Sequence, residues 1–187
     1  MRRTARLLAL LALLGACGKA PTASTTTAAS RAQAASRGGD ADLAKDLATL
    51  RRVTAPFHNF EKAKEAEWSE KITSCMADPT AGGMGFHYGN VGLINGTVQV
   101  DQPELLLYEP EKNGRLRLVA VEYIIPYTFH SRSAEPPVLF GQQFKQNDTF
   151  QLWGLHVWVW KENPSGMFAS WNPRVTCAYT TDVMAMG

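Results

Sequence analysis

The stretch that decides the fold reads Leu105-Leu106-Leu107-Tyr108, then Asn113-Gly114, then the apolar run from Leu116 to Ile125. An Asn-Gly pair between two apolar runs is the strongest short-range signal for a β-hairpin. The pair supplies the positive φ angles that a tight turn needs, and the flanking runs supply side chains that pack on a sheet. This stretch therefore predicts two antiparallel strands joined by a short turn.

Helical periodicity precedes the hairpin. Leu43, Leu47 and Leu50 recur on one face of the segment from Ala41 to Val53, which predicts an amphipathic helix. A second, shorter helix is predicted from Phe60 to Glu70, where Glu, Lys and Ala are frequent.

Strand-like segments follow both helices. Besides the hairpin, strands are predicted at Met84 to Tyr88 and at Phe150 to Trp160, and the first hairpin strand at Glu104 to Tyr108. Helices followed by hairpin-linked strands indicate an α+β domain. We expect two N-terminal helices packed on an antiparallel sheet of about four to six strands, with one disulfide.

The N-terminus has the features of an export signal. Arg2, Arg3 and Arg6 precede an apolar run of Leu and Ala from Leu7 to Leu14, which is too short to span a bilayer. The following Leu14-Gly15-Ala16-Cys17 resembles the bacterial lipobox. That motif predicts a lipoprotein signal peptide at residues 1–16 and lipidation of Cys17 by diacylglycerol and palmitate. An ordinary signal peptide cut elsewhere is the alternative.

The expected location follows from this signal. Lipid on Cys17 places the protein in the cell envelope, membrane-anchored on the extracytoplasmic side, and Gly18 after the cysteine favours the outer membrane if the cell has one. Residues 17–40 are rich in Ala, Thr, Ser and Gly, a composition that cannot form a core and predicts a flexible tether. Residues 41–187 then form a single domain.

Charge argues against a nucleic-acid partner. The chain has 19 Lys and Arg against 17 Asp and Glu, and removing the three signal-peptide arginines leaves 16 against 17. A nearly neutral domain lacks the basic surface that nucleic-acid binding requires.

The cysteine count predicts one disulfide. Lipidation of Cys17 leaves Cys75 and Cys177, and an even pair in an oxidising compartment most often forms a bridge. Closing a loop of about 100 residues stabilises the fold by roughly 4–5 kcal/mol in the chain-entropy model. A thiol site for metal or catalysis is the alternative, but neither cysteine has a local CxxC or His partner.

Three ionisable residues interrupt apolar strands. His87, Glu122 and His156 each lie within a run of hydrophobic side chains, where an unpaired polar group is costly to bury. If they converge, two imidazoles and a carboxylate can bind a divalent metal or act as an acid/base pair. The plainer interpretation is hydrogen-bonded core histidines, with Glu122 paired to Arg117 or Arg174.

Aromatic residues suggest a wall for such a site. Trp158 and Trp160 share the predicted strand face of His156, and Tyr88 follows His87, so we consider all three as ligand-pocket residues. The alternative is that these rings form the core of a small domain.

Several segments together carry a resemblance. They are Gly82-Gly83-Met84-Gly85-Phe86-His87-Tyr88, Leu107-Tyr108-Glu109-Pro110, Leu116 to Tyr123, Leu155 to Trp160 with Asn163 to Phe168, and Trp171 to Val175 before Cys177. The chain resembles a group of uncharacterised bacterial exported proteins and lipoproteins over most of the region from Phe57 to Cys177. The resemblance implies export and a single domain, and it implies no activity.

The sequence thus predicts a membrane-anchored envelope lipoprotein that binds a small ligand or a metal near His87, Glu122 and His156. Two alternatives stay open: a metal-dependent envelope enzyme that uses the same residues, and a structural or interaction lipoprotein without a pocket.

Overall fold

A computed structural model describes the backbone of residues 28–185 and the side chains of residues 39–185. The predicted signal peptide, the lipidation of Cys17 and the tether as far as residue 27 lie outside the described residues and stay predictions.

The described chain contains two α-helices, two 3-10 turns and nine strands. The elements are α1 (Ala28–Thr54), α2 (Phe60–Glu65), β1 (Glu70–Asp78), β2 (Gly82–Gly89), β3 (Leu105–Pro110), β4 (Leu116–Pro126), β5 (Val138–Leu139), β6 (Gln142–Gln143), β7 (Lys145–Asn147), β8 (Leu152–Val157) and β9 (Val183–Ala185). The α+β class is confirmed.

The helical part differs from the prediction. Only α1 is long, and it begins at Ala28, thirteen residues before the predicted start, because Ala-rich sequence favours helix even without an apolar stripe. The second helix has six residues instead of eleven. Glu67 adopts a φ of 74°, which helical backbone does not allow, and the chain after it enters β1 at Glu70.

The sheet is larger than predicted and is not wholly antiparallel. Seven strands form one curled sheet in the order β7-β8-β4-β3-β2-β1-β9, and β9 lies parallel to β1. The expectation of four to six antiparallel strands was therefore wrong in number and in one pairing. Three of the seven strands were not predicted: β1, β7 and β9. β7 and β9 have three residues each and lie at the two sheet edges, and strands this short show no alternation that would distinguish them from loops in sequence.

The predicted hairpin is the centre of this sheet. β3 and β4 pair antiparallel from Pro110–Leu116 to Leu105–Glu122, and Gly114 adopts a φ of 80° in the turn between them. The pair lies in the interior of the sheet, with β2 next to β3 and β8 next to β4. β3 is buried along its whole length.

Each face of the sheet packs a separate hydrophobic cluster. The face packed by α1 and α2, here called the helix face, buries residues that include Leu50, Leu106, Tyr108 and Tyr123. The opposite face, here called the second face, buries residues that include Met76, Met84, Leu105, Leu107, Ile124, Trp158 and Val175.

The C-terminal segment covers part of the second face. Val175 packs in its cluster with Trp171 against it, and Cys177 forms the predicted disulfide with Cys75 of β1. Thr176 N donates a hydrogen bond of 3.0 Å to a carboxylate oxygen of Glu109, which adds a second attachment. Among the described residues, no helix combines the length and the apolar character needed to cross a membrane.

Candidate metal centre

The structure brings His87, Glu122 and His156 together on the second face. Glu122 of β4 and His156 of β8 are directly opposite each other in the antiparallel ladder. His87 reaches the same point from β2, across the intervening β3. One potential ligand atom from each residue lies within 4.8 Å of those of the other two, and all three side chains are buried.

The separations within this cluster are longer than hydrogen bonds. His87 Nε2 lies 3.5 Å from Glu122 Oε2, and His156 Nδ1 lies 3.6 Å from Glu122 Oε1. Hydrogen bonds between such groups are about 2.7–3.2 Å long. A tetrahedral ion with ligand bonds of about 2.0–2.1 Å separates its ligand atoms by about 3.3 Å, which is close to both contacts.

Hydrogen bonding leaves one imidazole nitrogen without a partner. Thr73 Oγ1 lies 2.8 Å from His87 Nδ1, and when Nδ1 donates this bond the lone pair of Nε2 faces Glu122. His156 Nε2 is the single buried side-chain polar atom without a hydrogen-bond partner in the described part of the chain. Buried polar atoms are normally paired, so this unpaired nitrogen is a candidate ligand atom for an ion.

Burial controls the ionisation of all three groups. It raises the pKa of Glu122 to about 8, with the negative charge of Glu104 as a smaller cause. It lowers the pKa of His87 to about 4. It also lowers the pKa of His156 well below its usual value, and the positive charges of His87 and Lys145 add to that effect.

These directions are the opposite of those that ion pairing alone would produce. Pairing alone would keep the carboxylate charged and would keep both imidazoles protonated to higher pH. Desolvation outweighs that attraction because the side chains are no more than 8% exposed. At pH 7 the cluster is therefore dominated by neutral imidazoles and a protonated Glu122, and metal binding must release the carboxyl proton.

The structure does not pair Glu122 with either of the two arginines named as its alternative partners, Arg117 and Arg174. Arg174 is paired with Glu162, and the ion-pair contacts of Glu122 among the described residues are those with the two histidines. The arginine-paired interpretation of Glu122 is therefore wrong for Arg174, and no contact with Arg117 supports it.

A glycine makes room for the carboxylate. A Cβ atom at Gly154 of β8 would lie 2.8 Å from Glu122 Oε1, closer than real Cβ contacts come. Glycine at this position leaves room for the Glu122 carboxylate, whose two oxygens lie 3.5 Å and 3.6 Å from the imidazoles of His87 and His156.

The three side chains line a small, partly enclosed cavity of about 50 Å³. Its remaining wall is largely apolar and includes Leu105, Ile124 and Phe150. A shallow cleft of about 200 Å³ lies next to it and shares Glu122 and His156 as lining residues. The cleft is also lined by Lys145, Ser170 and Trp171, so it connects the buried cluster with the surface.

The aromatic residues that we predicted as a pocket wall do not line this cavity. Trp158 stacks on His156 with ring centroids 6.2 Å apart. Tyr88 packs on the helix face against Phe60, because successive strand residues point to opposite faces. Trp160 also packs on the helix face, because β8 ends at Val157 and strand alternation no longer applies.

Sequence reasoning missed several residues around the cluster. Thr73 and Gly154 carry no local motif, and their roles depend on the pairing of strands distant in sequence. Glu104 is 1% exposed, and its Oε2 accepts a hydrogen bond of 3.2 Å from Ile124 N. Its position directly before the apolar run at Leu105 was the available signal for a buried carboxyl.

Two imidazoles and one carboxylate form a donor set found in catalytic zinc sites and in non-haem iron sites. Comparison with protein-family models, with curated proteins and with solved structures gave no match to this chain. The function of this chain is therefore inferred from the geometry of this cluster.

Proposed function

We propose that this protein is a lipid-anchored, extracytoplasmic domain of the cell envelope that binds a transition-metal ion through His87, Glu122 and His156. The lipobox-like segment ending at Cys17 supports the location. The convergence of three buried metal-ligating side chains supports the binding function.

One observation carries the binding proposal: the three ligating side chains converge and line one small cavity, and His156 Nε2 has no hydrogen-bond partner. The cavity of about 50 Å³ has room for an ion with a water molecule. Pockets for organic ligands are much larger, about 300–1,000 Å³. The size therefore favours a metal ion over a small organic molecule.

The alternative of a structural lipoprotein is less well supported. It requires each histidine and Glu122 to be buried singly, with a hydrogen-bond partner of its own. Instead the three lie together, and burying them costs free energy that an apolar core would avoid.

Metal analysis of the purified full chain tests the proposal. After chelator treatment, separate samples are equilibrated with zinc and, anaerobically, with Cu(I). With at least one of these metals wild type should retain one ion per chain, and Glu122→Gln should retain neither metal. Glu104→Gln is the matched control, because Glu104 is an equally buried carboxyl outside the cluster. Equal metal content in wild type and Glu122→Gln, or no metal in either, would refute the binding function.

The anchor has its own test. Cys17→Ser should release the protein from membranes or stall its processing, since stable anchoring needs the acyl chains. A Cys17→Ser protein of normal mature size that fractionates fully with membranes would contradict the lipid anchor.

The cleft next to the cluster favours a second candidate, a metal-dependent hydrolase. An ion held by three protein ligands keeps an open position for water, and the cleft of about 200 Å³ gives a substrate access to it. Zinc-loaded wild type should then hydrolyse an activated ester, and zinc-free wild type should not. Equal rates with and without zinc would remove this candidate.

A further inference from the structure

Two methionines border the candidate metal centre. Met76 of β1 and Met84 of β2 are 3% and 7% exposed, and both line the small cavity together with His87, Glu122 and His156. Both also line the adjoining cleft, so the cavity and the cleft share these two side chains.

The chemistry of these side chains discriminates between metals. Thioether sulfur is a soft ligand that favours Cu(I), while imidazole binds copper and zinc alike. Zinc sites in proteins use thiolate, imidazole and carboxylate ligands and leave methionine out. Two methionines beside two histidines therefore form a donor set better suited to Cu(I) than to zinc.

The net charge of the occupied cavity also favours Cu(I) over zinc. The cluster offers one carboxylate, and the rest of the cavity wall is largely apolar, with Leu105, Ile124 and Phe150 among its residues. Cu(I) with an ionised Glu122 leaves no net charge in the cavity, whereas a divalent ion leaves one positive charge. A buried net charge is expensive in such surroundings.

We propose that the site is selective for Cu(I), and that the thioethers of Met76 and Met84 provide this selectivity. This proposal rests on the metal-binding function proposed above and specifies its ligand. The protein is then a copper-binding domain of the envelope, and the apolar cavity keeps the bound ion in its monovalent state.

The test compares Cu(I) with zinc in the same variants. Anaerobic competition against a colorimetric Cu(I) chelator and parallel zinc titration are applied to the full chain with its disulfide intact. All proteins carry Cys17→Ala, so that no free thiol competes for copper. The variants are Met76→Leu and Met84→Leu, which nearly preserve side-chain volume. Met167→Leu is the matched control, because Met167 packs on the helix face.

Cu(I) affinity should fall by at least about tenfold in Met76→Leu or Met84→Leu, a typical loss when a metal site loses a supporting residue. Zinc affinity should stay within about threefold of wild type, because zinc does not use thioethers. Met167→Leu should match wild type for both metals. Tight zinc binding with no methionine-dependent Cu(I) binding would overturn the copper proposal and leave the metal-binding function intact. Absence of both metals would overturn both.

X-ray absorption on the Cu(I)-loaded Cys17→Ala protein, with both methionines intact, provides a result that does not depend on how the methionine variants fold. Since Cys17 is replaced and Cys75 and Cys177 are joined in the disulfide, sulfur bonded to copper must come from methionine. Scattering from nitrogen and oxygen alone would contradict the proposal.

Discussion

The two faces of the sheet differ in how completely their buried polar atoms are hydrogen-bonded. On the helix face, the hydroxyls of Tyr108 and Tyr123 each donate a hydrogen bond of 2.7 Å, to Phe57 O and Val100 O. On the second face, His87 and His156 lie near Glu122 at distances too long for hydrogen bonds, and His156 Nε2 has no partner.

This difference separates a stabilising core from a binding site within one small domain. A face whose polar atoms are all paired gains stability from burial. A face that buries three ionisable groups without complete pairing loses stability, and such groups are a common mark of functional sites. The helix face therefore stabilises the fold, and the second face positions the candidate metal ligands.

The largest expected loss of stability comes from removing the disulfide that attaches the C-terminal segment over the second face. Cys75→Ala should reduce the free energy of unfolding by about 2–5 kcal/mol, because the bridge closes a long loop and holds the C-terminal segment in place. Denaturant unfolding measures this change. Full wild-type stability, or two free thiols in protein recovered from the envelope, would contradict the role given to the disulfide.

Shortening a core side chain on the helix face should reduce the free energy of unfolding by nearly as much and leave metal binding unchanged. Leu50 is fully buried there, and Leu50→Ala should reduce the free energy of unfolding by about 2–4 kcal/mol. Zinc titration below the unfolding temperature should give the wild-type affinity. A large loss of affinity in the folded variant would show that the two faces are not separable.

Only part of the fold was predictable from the sequence. The hairpin and the disulfide were predictable, because an Asn-Gly turn and an even cysteine pair are local or countable signals. The parallel pairing of β9 with β1 was not, since a three-residue edge strand has no periodicity and its partner lies far away in sequence.

At the site, the sequence revealed which residues were unusual but not what surrounds them. His87, Glu122 and His156 stood out because each interrupts an apolar strand. Strand alternation failed for Trp160, which lies beyond the end of β8. The direction of the pKa shifts also needed the structure, because the depth of burial decides whether desolvation or ion pairing prevails.

Removing the buried carboxyl should stabilise the metal-free protein. The pKa of Glu122 is raised to about 8, so its contribution to stability is greatest below about pH 4.5 and is lost as pH rises toward 8. Glu122→Gln should therefore gain about 1–3 kcal/mol at pH 8 and flatten the decline of stability with pH.

Denaturant unfolding between pH 5 and pH 8.5 measures this gain. Glu104→Gln should flatten the profile in a similar way, because burial also raises the pKa of Glu104 to about 8. A Glu122→Gln protein less stable than wild type at pH 8 would show that the carboxylate stabilises the fold, contrary to the account.

The smallest expected change in stability is at Gly154. Gly154→Ala should alter the free energy of unfolding by less than about 1 kcal/mol, because the new methyl group displaces the end of a flexible side chain. Metal affinity should nevertheless fall by about tenfold, since Glu122 Oε1 must move. Gly141→Ala is a control for glycine replacement, as a Cβ there meets no neighbouring atom, although its φ of 68° adds some backbone strain. Unchanged metal affinity in Gly154→Ala would show that the carboxylate position is not required.

The most direct test of the central claim is thermal unfolding of wild type and Glu122→Gln, each with and without added metal at pH 8. The account predicts that metal-free Glu122→Gln melts at a higher temperature than metal-free wild type. Metal should then raise the melting temperature of wild type and leave that of Glu122→Gln unchanged. A metal-free variant that melts lower than wild type, or equal metal-induced shifts in both proteins, would contradict the claim that the second face gives up stability for a metal site.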